Sequence, residues 1–183
     1  CRPEELARLT SFACRVRDEL QVPVDSAMIS DVPGYTWGTV AVFAQSGVRY
    51  FSIGPNRSDR LGTLLTDWGD KPFYWVSPSG QEKVLCWIAA QGYSWFHGKG
   101  GAVGDKVLTY LNELEDSHYP YDVIQLRYNI GGDNGPPDKT ISDTVKDWNA
   151  RYVAPKLRIA LVRDCFEDFE RRYADRIPAF AGD

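Results

Sequence analysis

Two aspartates stand where an α/β protein places chemistry. Asp31 directly follows the apolar run Ala27-Met28-Ile29 and precedes the tight turn Val32-Pro33-Gly34. A carboxylate projected from a strand end can serve as a nucleophile, a general base or a metal ligand. It can equally cap the helix that begins near Trp37. Asp133 lies in a second loop, Asn129-Ile130-Gly131-Gly132-Asp133-Asn134-Gly135-Pro136-Pro137-Asp138. Glycines there allow a ligand to approach the backbone, although turn hydrogen bonds account for Asn and Asp as well. Paired carboxyl groups are the equipment of a glycosidase, about 5–5.5 Å apart for retention and about 6.5–9.5 Å for inversion.

Other residues qualify that picture. His97, in Tyr93-Ser94-Trp95-Phe96-His97-Gly98, could bind a sugar hydroxyl or a metal. Trp37, Trp75 and Trp95 offer faces on which a sugar ring could stack, and Trp68 and Trp87 share that property. Trp148 shares a helical face with Ile141 and Val145 and reads as core. His118 reads as a helix-end residue. With two histidines and no His-x-x-x-His or His-x-Asp spacing, a complete zinc site is not expected from these residues alone. The run Gly98–Gly104 lacks the Gly-Lys-[Ser/Thr] ending of a phosphate-binding loop and reads as a flexible loop. Cys1, Cys14, Cys86 and Cys165 are far apart, with no Cys-x-x-Cys pair, and are expected as free thiols.

The elements that must position these groups alternate. Leu6, Leu9, Ala13, Val16 and Leu20 predict one helix face from Pro3 to Leu20. Ser26–Ile29 reads as a buried strand, and Trp37–Gln45 as a helix stopped by Gly47. Val48–Ile53 reads as a strand, and Ser58 or Asp59 begins a short helix through Leu65. Phe73–Val76 and Lys83–Ile88 flank the turn Ser77-Pro78-Ser79-Gly80 as a hairpin or two adjacent strands. Val107–Leu114 predicts a helix, Tyr121–Tyr128 a strand, Ile141–Tyr152 a helix, Leu157–Val162 a strand, and Phe166–Tyr173 a last helix. The order argues for a mostly parallel sheet with helices around it, whose ligands meet the loops at the carboxyl ends of the strands.

Composition sets outer bounds. With 183 residues and 43% hydrophobic, the chain suits one domain with a real core. Lys+Arg 21 against Asp+Glu 25 gives a net charge of −4, which argues against nucleic acid held on a basic surface. No apolar run approaches the roughly 20 residues of a membrane span. The start at Cys1 and the stop at Ala181-Gly182-Asp183 both read as cuts, so the chain is expected to be a piece of a longer protein.

The segment Ser26-Ala27-Met28-Ile29-Ser30-Asp31-Val32-Pro33-Gly34-Tyr35-Thr36-Trp37-Gly38 resembles the nucleophile segment of the glycoside hydrolase family 38 α-mannosidases, with its Asp-x-x-Gly-[His/Tyr]-[Ser/Thr] pattern. Three later segments, Gly47–Asn56, Trp68–Trp75 and Tyr121–Asp138, are similar to that family in the same order. The resemblance covers essentially all of residues 1–183, as part of the N-terminal catalytic domain. It implies an α/β fold, a distorted (β/α)7-type barrel that is incomplete here and lacks its first strands. It implies a zinc-dependent retaining exo-glycosidase that removes terminal α-mannosyl residues, with a mannose-containing carbohydrate as partner.

By the same resemblance Asp31 matches the nucleophile that also coordinates the metal, and Asp133 is the acid/base candidate, with Asp122 and Asp138 as rivals. The remaining zinc ligands, a His-x-Asp pair upstream and a histidine downstream, are expected outside the chain. The isolated fragment is therefore expected to be inactive. Tyr35 stands where the family more commonly has His. Two other readings are a non-catalytic carbohydrate-binding domain and a metal-dependent carbohydrate hydrolase such as a polysaccharide deacetylase. The latter calls for a His-x-x-x-His pair that the sequence lacks.

Overall fold

The structure is a computed structural model. It describes residues 2–32, 34–56, 64–93, 102–127 and 138–183. Helices α1 (Pro3–Arg8) and α2 (Ser11–Leu20) lead into β1 (Ser26–Ser30), α3 (Thr39–Gln45) and β2 (Tyr50–Gly54). Then come α4 (Leu64–Trp68), β3 (Pro72–Val76), β4 (Lys83–Ile88), α5 (Ala102–Asp116), α6 (Ile141–Arg151), α7 (Val162–Tyr173) and β5 (Ala179–Ala181). The strands form one sheet in the order β1-β2-β4-β3-β5. β1, β2 and β4 run parallel, while β3 and β4 form the antiparallel hairpin expected around Ser77–Gly80. Among the described residues the sheet is open, with β1 and β5 at its two edges. No helix among the described residues is long and apolar enough to cross a membrane.

Strand alternation builds two cores on the two faces. Phe51 and Ile53 of β2, with Val84, Cys86 and Ile88 of β4, pack under Val40 and Phe43 of α3. Tyr50 of β2, with Leu85 and Trp87 of β4, packs against Phe166 and Phe169 of α7. Every residue of β2 is buried, as a central parallel strand covered on both faces should be. A third cluster joins α5 and α6 through Val107, Tyr110 and Trp148, whose indole donates to the Pro155 carbonyl at 2.8 Å.

Four expectations about elements change. The Pro3–Leu20 helix breaks at Leu9-Thr10, where the buried Thr10 hydroxyl bonds the Ser46 hydroxyl. Gly104 lies within α5, and not in a loop. Leu157–Val162 is not a strand: Ile159 and Leu161 are exposed, and α7 starts at Val162 with Asp164 reaching back to the Leu161 N–H at 3.1 Å. Its β-branched residues have no neighbouring strand to pack on, and strand preference is a matter of that context.

Tyr121–Tyr128 is likewise not laddered over its described part, 121–127. It keeps a strand's alternation: Ile124 and Leu126 meet the α5–α6 cluster, while Gln125 and Arg127 bond β2 and β1. β2 is already paired on both edges, so the segment crosses its face and joins no ladder. Strand β5 was not expected from the sequence. Cys14, Cys86 and Cys165 are free thiols.

Candidate active site

The parallel strands β1, β2 and β4 end on one side of the sheet, where Ser30 is in register with Gly54 and Ile53 with Ile88. Asp31 is the next residue after β1. Its backbone turns into the left-handed region, φ 66°, which lifts the carboxylate off the strand and leaves the side chain exposed. Non-glycine residues adopt that conformation rarely, and Asp is among those that tolerate it. Two contacts hold it. The Asp31 N–H donates to the Gly54 carbonyl at 2.8 Å, and the Asn56 amide donates to Asp31 Oδ1. The loop then descends over the α3 face, where Tyr35 packs edge-on against Phe51. Burial pushes the Tyr35 phenol up to about 12, partly offset by Arg127.

Arg127 approaches the same strand end from the opposite face. Its Nη2 donates to the Ile29 carbonyl at 3.0 Å and to Ser30 Oγ at 2.6 Å, the two residues just before Asp31. Burial pulls its guanidinium down to about 10. Gly54 makes the seat: a Cβ there would overlap Arg127 Nη1 and Cζ and come 2.9 Å from Tyr93 Cβ. Beside it lies a small cavity lined by Asp70, Trp87, Ala89, Tyr110, Gln125 and Arg127. A buried indole N–H, Trp87 Nε1, and Arg127 Nη1 meet no acceptor among the described residues.

Asp70 repeats the backbone device of Asp31. Its φ is 57°, and its N–H donates to the Ile88 carbonyl at 2.7 Å, at the end of β4. Unlike Asp31 it is buried, 7% exposed. Burial pushes its carboxyl up to about 6, against the opposing pull of donors from Ala90 N–H and the Tyr110 hydroxyl.

The aromatic candidates fall elsewhere. Trp75 is 6% exposed, and its indole donates to the Gly182 carbonyl at 2.8 Å. Trp37 is half-buried on the α3-face core and donates to the Val76 carbonyl at 2.6 Å. Because β3 runs antiparallel, Val76 lies at the end of the sheet opposite Asp31. The structure therefore does not bring Trp37 or Trp75 to the Asp31 carboxylate. Trp68 packs at a tilt against Phe73 and Phe180, and Trp87 is buried. Asp133, Trp95 and His97 lie outside the described residues.

The two rivals of Asp133 are engaged at the surface. Asp122 accepts from Tyr173 and Arg172, with the Tyr173 bond the main cause of its lowered pKa, and Asp138 Oδ1 accepts from Thr140 N and Oγ1 at 2.7 Å each. His118 follows the end of α5 in a left-handed turn, φ 53°. Arg127, Asn56 and Asp70 were not singled out from the sequence. A cation inside the apolar alternation Val123-Ile124-Gln125-Leu126-Arg127 was the signal available for the first.

The donor set bears on zinc. Asp31 offers an exposed carboxylate oxygen, which suits a divalent ion. Among the described residues no three His, Cys, Asp or Glu side chains gather to complete a site of about four ligands.

Comparison with known proteins agrees with this architecture. No curated protein matches the chain. The crystal structure of an alpha-mannosidase from Enterococcus faecalis V583 superposes with a TM-score of 0.70 at 12% identity, over 98% of this chain and 20% of that one. The chain thus spans about a fifth of that protein's length. The profile of the glycosyl hydrolases family 38 N-terminal domain matches residues 11–183, and the chain belongs to that family.

Proposed function

We propose that the protein of which this domain forms part is a zinc-dependent, retaining exo-α-mannosidase, with Asp31 as nucleophile. The observation that carries the reading is the position of Asp31: an exposed carboxylate, held by Asn56 and Gly54, at the carboxyl end of a parallel strand in a family 38 domain. In this reading the open five-stranded sheet is one arc of a distorted barrel.

The Asp31 carboxylate attacks the anomeric carbon as the bond to the leaving oxygen breaks, giving a glycosyl ester on Asp31. Asp133, proposed as acid/base, gives its proton to that oxygen and then takes one from the water that hydrolyses the ester. The Asn56 amide keeps one carboxylate oxygen fixed, so the other faces the sugar without a rotamer search. Asp31 would share a zinc ion with ligands from outside the described residues, and the ion when bound would supply a grip on sugar hydroxyls. The Asp31→Ala substitution in the intact protein tests the reading on an aryl α-mannoside, with and without chelator. Hydrolysis with retained configuration, lost with chelator and in the variant, is the expected result. Near-normal turnover by Asp31→Ala would rule out the nucleophile role, and an inactive zinc-loaded intact protein would favour a carbohydrate-binding role.

A further inference from the structure

We propose that Arg127 is a positioning residue for Asp31, pinning the end of β1; the inference rests on the nucleophile reading above. Three observations converge on it. Arg127 Nη2 bonds the Ile29 carbonyl and the Ser30 hydroxyl, so it fixes the two residues that deliver the chain to Asp31. Asp31 itself sits at φ 66°, a conformation that Asp tolerates and that the contacts around it hold in place. Those contacts are the Arg127 bonds to Ile29 and Ser30, the Gly54 carbonyl and the Asn56 amide.

The second observation is cost. Arg127 is half-buried, and among the described residues it has no carboxylate partner. A cation drawn out of water against a carbonyl and a hydroxyl is a poor way to stabilise a fold. An apolar side chain would fill the same space at less desolvation cost. The forked guanidinium does what an apolar group cannot: one nitrogen holds two acceptors on adjacent residues.

The third is the seat. Gly54 leaves space that Arg127 occupies, and any side chain there would expel the guanidinium. Gly54 also gives its carbonyl to the Asp31 N–H, so one residue of β2 serves both members of the pair.

The test uses the intact protein with an aryl α-mannoside. In Arg127→Met, kcat should fall about 100-fold while KM stays within about 3-fold, as expected for a misplaced reacting group. Labelling of Asp31 by a fluorinated mannosyl fluoride, read as a peptide mass shift, should slow by the same factor. Arg127→Lys should recover part of the loss, since an ammonium keeps the charge without the fork. Gly54→Ala, which keeps Arg127 but denies its seat, should reproduce the Met phenotype. It also serves, with Arg127→Lys, if Arg127→Met does not fold. Wild-type kcat and labelling in Arg127→Met or Gly54→Ala, with Asp31→Ala inactive, would overturn the inference alone. Wild-type turnover by Asp31→Ala would overturn the nucleophile reading and the inference with it.

Discussion

Asp31 and Asp70 are built alike and end up as opposites. Each occupies the left-handed region, at φ 66° and 57°, and each donates its N–H to the carbonyl at the end of a parallel strand, Gly54 of β2 or Ile88 of β4. What differs is the cover. Beyond Asp31 the chain falls away over α3 and leaves the carboxylate exposed beside Asn56. Over Asp70 the α5 helix brings Tyr110, and the turn after β4 brings the Ala90 N–H at 3.0 Å. The same backbone device thus leaves one carboxyl open to solvent and seals the other into the fold. A positive φ at a strand end aims a side chain, and the neighbouring loops decide whether that side chain can react.

Activity separates the two most sharply. In the intact protein Asp31→Ala should lower turnover by about 1,000-fold or more, a loss of roughly 4 kcal/mol of transition-state stabilisation. Asp70→Asn, which keeps shape and an acceptor oxygen, should stay within about 3-fold of wild type, as a residue that supports structure and does not touch substrate. Equal losses at the two positions, measured as kcat/KM on one substrate, would break the division between them.

Stability should reverse the order. Asp70→Ala strands the Tyr110 hydroxyl and the Ala90 N–H in a buried place and should cost on the order of 2–3 kcal/mol in a denaturant titration. Asp31→Ala exposes its lost partner, Asn56, to water, and should cost about 1 kcal/mol, mostly from alanine in a left-handed conformation.

Half of this comparison was legible in the sequence. The place of Asp31 at a strand end is legible because an apolar strand runs directly into Asp-Val-Pro-Gly, a local pattern that fixes both the strand end and the turn. Strands β1 to β4 were visible for the same reason, being short apolar runs bounded by Gly, Pro and Ser. Asp70 and Arg127 were not, because what defines them is distant in the chain. Asp70 is sealed by Tyr110, and Arg127 is seated by Gly54 and Ser30. The Tyr121–Tyr128 and Leu157–Val162 runs misled for a related reason: alternation records which side chains are buried, and not whether a strand edge is free to pair.

The titration of Asp70 gives a finer contrast. Its folded pKa, about 6, lies above the usual carboxylate value, so the neutral form is favoured by folding. That contribution is complete below about pH 4 and is lost as pH rises through about 6. Folding stability should therefore decline over that window by at most about 3 kcal/mol, at about 1.4 kcal/mol per pKa unit. Asp70→Asn, which carries no charge, should remove this slope. A decline of unchanged size in Asp70→Asn, followed by denaturation between pH 4 and 7, would place its origin elsewhere.

The smallest effect isolates the side chains from the backbone they share. Glycine at either position relieves the left-handed strain and also loosens the unfolded chain, and these two contributions are nearly equal at 31 and 70. The difference between Asp31→Gly and Asp70→Gly therefore cancels the backbone and reports the surroundings alone. Asp31→Gly should leave stability within about 0.5 kcal/mol of wild type, because it gives up only an exposed hydrogen bond from Asn56. Asp70→Gly should lose on the order of 2 kcal/mol, because the same relief is outweighed by two buried donors left without an acceptor. If the two glycine variants unfolded at the same denaturant concentration, the cover over Asp70 would contribute nothing to the fold. The contrast between the presented and the sealed carboxylate would then be one of exposure only.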